Sequence, residues 1–373
     1  MYRIVLITVL TQGCHIGSKV AASLFAIHLG ANPFLIGLLI ATYSACGLVL
    51  ALYVGRISDR FGSRRPMMGG TAAMGAGLLL PWIWPTLGAL YASAALIGTG
   101  FVFFNVAVQN LAGGYGPPSE RTRNFSVLAL GYSGGHLIGP PIAGMAIDYL
   151  GYGAAYLCFA AMTVVTVSVL ACCRDLESVR HAATETASRK VLDLLRLPAL
   201  RRAVIAGGLV ATGQDLYTFY VPIYGNSIGL SASTIGIVLA MAAVATFVVR
   251  FLLPRLTQRY SIEGVLSAAM FAATALFLPF PFVTWVPVLC VLSFCIGLAL
   301  GCGQPLTLNI AYNRSPPRRS GEAAGLRLTV NNVTHMVVPV AAGALGALLG
   351  VVPVFWASAA LLAASGYLTR KRD

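Results

Sequence analysis

The sequence predicts an all-α membrane protein of twelve transmembrane helices, built as two six-helix pseudo-repeat bundles. Composition, the spacing of apolar runs and an internal repeat predict it. Of 373 residues, 58% are hydrophobic and 10% charged, and the mean hydropathy is +0.81. A soluble domain devotes about a quarter of its residues to charge, so a secreted domain and any sizeable soluble catalytic domain are excluded. The apolar runs are continuous and approach the roughly 20 residues that span a bilayer, whereas the strands of an outer-membrane barrel would alternate.

Cut at charges and Pro/Gly clusters, the runs fall at 4–29, 33–54, 67–84, 86–111, 124–147, 153–173, 203–226, 233–253, 264–284, 286–311, 322–346 and 350–369. The first is too long and too polar for a cleaved signal peptide and reads as a span. Every second connection, from Ala31-Asn32 to Gly350–Pro353, is nearly uncharged, with Asp148 as the one exception. The alternate connections carry Arg56, Arg60, Arg64, Arg65, Arg121, Arg123, Arg255, Arg259, Arg314, Arg318 and Arg319. Basic loops stay in the cytoplasm, which places both termini there, in a bacterial inner membrane. The net charge of +14 is thereby assigned to orientation, and no nucleic-acid partner is expected.

Residues 174–202 form the one long polar stretch, with an apolar cluster at Val191, Leu192, Leu194 and Leu195 suited to a membrane surface. They read as a cytoplasmic linker between an N-terminal bundle, 1–173, and a C-terminal bundle, 203–373. Sliding the second half back by 199 positions superposes Ile36-Gly37 on Ile235-Gly236, Arg56 on Arg255, Arg60 on Arg259 and Gly98 on Gly297. The same register superposes Pro117-Pro118 on Pro316-Pro317, and His136, Pro140 and Gly144 on His335, Pro339 and Gly343. Polar, Pro and Gly matches in one ungapped register indicate duplication, a common plan for transporters. The eight cysteines lack metal-type spacing and read as small apolar residues.

The first basic connection, Gly55-Arg56-Ile57-Ser58-Asp59-Arg60-Phe61-Gly62-Ser63-Arg64-Arg65, resembles the G-x-x-x-D-R-x-G-R-R signature of the major facilitator superfamily. Ser63 departs from it, since the family has a basic residue there, and Arg255 to Tyr260 form a weaker copy in the second half. The resemblance covers essentially the whole chain. It implies that Asp59 pairs across to the other half and steadies one conformation, and Arg327 in the eleventh span is the partner offered. Alternatively, the loop arginines only set topology, and Arg327 and Arg250 snorkel from cytoplasmic ends.

The fifth span contains Gly135-His136-Leu137-Ile138-Gly139-Pro140-Pro141-Ile142-Ala143-Gly144, similar to the G-x-x-x-G-P-x-x-G-G motif of the family's drug:proton antiporters, with Ala143 in place of one Gly. Glycines four apart permit close helix approach, and the paired prolines are expected to bend the helix as a hinge. Overfilling Gly139 with Leu should therefore inhibit, whereas Ala should be mild. The fourth span lacks the Arg of proton-linked drug antiporters, so a coupling proton must ride elsewhere.

Ionisable and polar side chains in spans are costly and mark pathways. Gln12, His15 and Lys19 form a stripe on the first helix, with Asn105 and Gln109 on the fourth and His136 on the fifth. The second half offers Gln214 and Asp215 on the seventh, Gln304 on the tenth, and Arg327, Asn331 and His335 on the eleventh. The resemblance implies that helices 1, 4, 7 and 10 line a central cavity. Lys19 and Asp215 are the sharpest candidates, for solute or coupling ion or as an ion pair between the halves. No phosphate loop, metal cluster or nucleophile with its base occurs, so no catalytic group, metal or cofactor is expected, and the chain is not read as an enzyme.

The expected function is proton-coupled efflux of a small organic solute by a monomer in the bilayer. Uptake of an organic anion is the alternative within transport. A transporter-like sensor or partner-binding protein is the alternative from another class.

Overall fold

The computed structural model describes residues 2–114, 120–172, 193, 196–315 and 320–370, without the side chains of 46–49, 51–52, 55–56, 59–61, 121–122, 199 and 320–324. The described residues are helical, with no strand among them. The first half runs α1 (Tyr2–His28), α2 (Pro33–Phe61), α3 (Arg64–Ile83), α4 (Leu87–Gly114), α5 (Arg121–Leu150) and α6 (Tyr152–Cys172). The second runs α7 (Pro198–Ser227), α8 (Ala232–Arg259), α9 (Ile262–Phe277), a 3-10 turn (Phe280–Phe282), α10 (Val286–Gly301), α11 (Gly303–Asn313), α12 (Ser320–Leu349) and α13 (Val351–Thr369). Among the described residues, eight segments are long and apolar enough to cross a membrane.

Local chemistry explains where the helices begin and end. The Asn32 side chain accepts the Leu35 N–H at 2.9 Å and Ser231 accepts that of Thr234 at 3.2 Å, each satisfying an orphan donor of a first turn. Gly30, Gly151, Gly229 and Gly350 sit at positive φ in the nearly uncharged connections, a conformation that L side chains rarely adopt. α9 stops before Pro279 and Pro281, which lack the N–H that would continue it. Pro305 likewise leaves the Gly301 carbonyl without its helical donor, and the tenth run breaks there, at Cys302, into α10 and α11.

Three boundaries differ from the expectation. α2 continues through the basic signature to Phe61, because charges end an apolar run without ending a helix. Gly62, at φ 78 and ψ 167, ends it instead. α5 is one helix with Pro140 and Pro141 inside it, where a single run at 124–147 is expected, and it begins three residues earlier than that run, at Arg121. α7 starts at Pro198, within the stretch read as linker, whose apolar cluster at 191–195 lies outside the described residues apart from Asp193.

The 199-residue register of the sequence recurs in the helix bounds. It carries the starts of α2, α4, α5 and α6 onto those of α8, α10, α12 and α13, and the ends of α4 and α5 onto those of α11 and α12. It also carries Gly30 onto Gly229, Gly151 onto Gly350, and the Asn32 cap onto Ser231. Cα packing gives two compact units, Met1–Glu185 with Gly225–Ala240, and Thr186–Tyr224 with Met241–Asp373. In the first, α1 packs chiefly on α5 and α3 on α4; in the second, α9 packs chiefly on α13 and α11 on α12.

Candidate functional site

In the first unit, three glycines of α5 lie against α1. A Cβ on Gly131 would meet Thr8 Cβ at 3.0 Å, on Gly135 the Gly13 nitrogen at 2.8 Å, and on Gly139 the Gly13 carbonyl oxygen at 2.6 Å. Two backbones therefore touch along one four-residue ladder, as small residues allow. The obstacles at 139 are backbone, so even Ala collides there, where a mild effect is expected from the sequence; at 135 the Gln12 side chain is met first. Gly144 completes the motif differently: a Cβ there would collide with the Ala232 carbonyl at the start of α8, and a Cβ on Gly236 would meet the Pro140 oxygen at 2.5 Å.

This close approach positions the polar residues of α1, α4 and α5. His15 stacks on Phe101 with ring centroids 3.9 Å apart and meets Tyr43 edge-on at 5.8 Å. Lys19 Nζ lies 5.6 Å from the centre of the Tyr43 ring, within cation–π range. Gln109 Nε2 donates to Asn105 Oδ1 at 3.1 Å, and the Tyr132 hydroxyl donates to the same oxygen. His136 Nδ1 lies 2.9 Å from the Tyr132 carbonyl, which fixes that nitrogen as the donor. Gln12 Nε2 sits 3.4 Å from the same Nδ1, and two donors cannot bond; exchanging the Gln12 amide atoms would turn its Oε1 into an acceptor there.

The second unit holds a second network. Gln214 Nε2 donates to the Leu300 carbonyl at 3.2 Å, and Gln304 Nε2 to Gln214 Oε1 at 3.3 Å. Gln304 Oε1 in turn accepts from Arg327 Nη2 and, at 3.3 Å, from Asn331 Nδ2. Arg327 Nε reaches Thr307 Oγ1 at 3.3 Å and its Nη2 the Gln304 carbonyl at 3.1 Å. Arg327 is 4% exposed and so does not snorkel: neutral oxygens of α11 draw it inward. His335 Nδ1 and Asp215 Oδ2 are 2.5 Å apart, which joins two residues that the sequence left unpaired.

The repeat register also holds for contacts. It carries the pair Asn105–Tyr132 onto Gln304–Asn331 and His15–Phe101 onto Gln214–Leu300. A Cβ on Gly98 would collide with the Tyr43 carbonyl, and one on Gly297 with that of Ala242, the same pair again.

Of the basic signature, Arg64 caps α6, with Nε 2.9 Å from the Leu170 carbonyl and Nη2 2.6 Å from that of Ala171. A cation at the C-terminal carbonyls opposes the negative end of the helix dipole, so this arginine does more than set topology. The Asp59, Arg60 and Gly55 expectations concern side-chain surroundings outside those described, as does the Asp59–Arg327 pairing. Sequence reading missed Tyr43, Phe101 and Thr307, since an aromatic ring or a threonine in an apolar run looks like any other. Asp148, in the last turn of α5, caps α8: its carboxylate accepts the N–H of Ala232 at 3.1 Å and of Ser233 at 2.7 Å. Among the described residues no three His, Cys, Asp or Glu gather as a metal site would.

A family model described as Major Facilitator Superfamily matches residues 4–333 and 264–373. Relatives include an uncharacterized MFS-type transporter, YuxJ, of Bacillus subtilis, 24% identical over 82% of this chain and 80% of its own. The class B tetracycline resistance protein of Escherichia coli is 25% identical over 83% of this chain and 78% of its own, and Sugar efflux transporter A of Escherichia coli 25% identical over 92% and 88%. Among solved structures, the nucleoside transporter NupG superposes with a TM-score of 0.79 at 12% identity, covering 99% of each chain. A bacterial homologue of the human lysosomal transporter Spinster gives 0.80 at 14% identity, covering 99% of this chain and 95% of that one. At such identities the structures speak for the fold alone, but the family match runs nearly end to end along a chain of apolar helices. The protein is therefore a multi-pass integral membrane protein and belongs to the Major Facilitator Superfamily of transporters.

Proposed function

We propose that this chain is a secondary active transporter that exports a small organic solute by alternating access, driven by protons. It works as a twelve-span monomer in a bacterial inner membrane with both termini cytoplasmic. The halves that rock are the bundles 1–173 and 203–373, joined by the linker 174–202. Gln12, His15, Lys19, Asn105, Gln109 and His136 line its pathway from the first half, and Gln214, Asp215, Gln304, Asn331 and His335 from the second. Export is supported by relatives named as a tetracycline resistance protein, a multidrug resistance protein and a sugar efflux transporter.

The observation that carries the coupling is the 2.5 Å approach of His335 to Asp215. An imidazole and a carboxylate this close share a hydrogen bond, and a coupling proton held by the pair would change its net charge. Charge within a span is expensive, so the protonation state favours the conformation that best solvates or pairs it. With a solute found by a thermal-shift screen of drugs and sugars, Asp215→Asn and His335→Gln in proteoliposomes should keep counterflow and lose acceleration by a proton gradient. Undiminished acceleration in both variants refutes the assignment.

Two other readings have their own support. The cations Lys19 and Arg327 with three pathway histidines outnumber Asp215, which favours an organic anion and leaves uptake open. A Pseudomonas aeruginosa relative, 23% identical over 92% of this chain, is named as a transcription regulatory protein, OpdE, which favours a sensor. Failure of counterflow with a solute that binds would select the sensor.

A further inference from the structure

Arg327 is a guanidinium 4% exposed, and every group it touches is neutral: Thr307 Oγ1, the Gln304 carbonyl and Gln304 Oε1. No carboxylate among the described residues pairs with it. Burying an unpaired charge is costly, and dipoles compensate it only in part. Its Nη1 makes no hydrogen bond to a described residue and keeps two donors in hand.

One helical turn further, on the same face of α12, Asn331 is 6% exposed, and its Oδ1 is buried without a hydrogen-bond partner. The Asn331 amide cannot be turned to cure this. Its Nδ2 donates to Gln304 Oε1, which is fixed as an acceptor because Arg327 also donates to it. An exchange would set two acceptors against each other. An orphaned acceptor and an incompletely satisfied cation therefore stand side by side, each lacking what one ligand could supply.

We infer that Arg327 and Asn331 form a subsite for a carboxylate that carries a hydroxyl or amino group on the neighbouring carbon. The carboxylate takes the free donors of Arg327, and the adjacent O–H or N–H donates to Asn331 Oδ1. Gln304 holds both side chains in place and is the positioning residue. The inference rests on the transporter reading and narrows its solute to a hydroxy- or amino-carboxylate. It uses neither Asp215 nor His335.

The test is equilibrium binding to the purified full chain in detergent at pH 7, with no proton gradient imposed. The probes are glycolate and gluconate, against acetate and hexanoate, which lack the neighbouring hydroxyl, and glucose, which lacks the charge. Glycolate or gluconate should bind at least tenfold more tightly than its counterparts. Arg327→Lys, which keeps the charge and loses the fork, should weaken that binding at least tenfold. Asn331→Leu should spare carboxylate binding while abolishing the preference for the hydroxylated member of each pair. Asn331→Asp should supply the missing anion internally and eliminate probe binding.

Binding of glucose as tight as gluconate, no binding of either hydroxy-carboxylate, or undiminished binding in Arg327→Lys would overturn the subsite. Gradient-driven movement of a neutral solute with no anion binding would sink this inference and leave the transporter reading intact. Anion binding in a protein that shows no counterflow would do the reverse.

Discussion

At the scale of single residues, the polar candidates were legible and their partners were not. Asp215, His335, Gln304 and Asn331 stand out in an apolar chain because few side chains there can be charged or bonded. Which of them meet depends on helix rotation and crossing, and positions 215 and 335 carry no mark of their contact. For Arg327 the sequence leaves pairing and snorkelling open, because its distance from a helix end fits either; Thr307 and Gln304 opposite decide its inward course. Packing at this scale gives a sharp expectation at Gly346, where a Cβ would collide with the Tyr220 hydroxyl, itself bonded to the Ala342 carbonyl at 2.9 Å. Gly346→Ala should lower stability by about 1–3 kcal/mol, as overpacking does, and Tyr220→Phe by about 1 kcal/mol for the lost hydrogen bond. The double variant should be less impaired than the sum, because the phenyl ring makes room, though Tyr220 Cζ at 2.8 Å limits the relief. Thermal unfolding in detergent measures all three, and strict additivity would refute the contact.

Whole elements show how one helix fixes another. The carboxylate of Asp148, at the C-terminal end of α5, holds the first N–H groups of α8. Partial burial pushes its pKa up, but hydrogen bonds from Ser233, Ala232 and Ser231 outweigh that and hold it below the ordinary carboxylate value. A depressed folded pKa means the stabilisation is full above the ordinary value near 3.8 and is lost as pH falls through the lower folded one. Asp148→Ala should therefore lower stability by about 1 kcal/mol at neutral pH, as loss of a cap does, and the deficit should vanish in strong acid. Asp148→Asn, still an acceptor, should cost less. A deficit independent of pH would refute the cap. The basic signature supplies the other element-scale expectation. Gly62, at φ 78 and ψ 167, occupies backbone space that side chains avoid, so Gly62→Ala strains the turn between α2 and α3. Transport should fall while solute affinity measured in detergent stays near normal; loss of affinity in a folded variant would refute a purely conformational role. The motif itself was visible in the sequence, but its helical state was not, because charge patterning reports the membrane boundary and backbone hydrogen bonding continues past it.

At the scale of the molecule, the repeat was the most legible feature, since composition and one ungapped register sufficed. The structure adds that equivalent backbones touch at equivalent places, Gly98 on Tyr43 and Gly297 on Ala242. Gly98→Ala and Gly297→Ala should accordingly destabilise by similar amounts, each about 1–3 kcal/mol, and an effect confined to one would deny the equivalence. The same register shows where the copies have parted. Gly30, Gly98, Gly144, Gly151 and the caps persist, whereas Gly135 corresponds to Thr334, Gly139 to Val338, Tyr132 to Asn331, His15 to Gln214 and Leu128 to Arg327; of the polar candidates, His136 and His335 are still alike. A duplicated gene begins with two identical faces, and an ancestor of that kind would have met its cargo with the same chemistry from both sides. Replacing leucine by arginine in one copy, or the reverse in the other, ended that equality, so the two bundles carry different charge at equivalent positions.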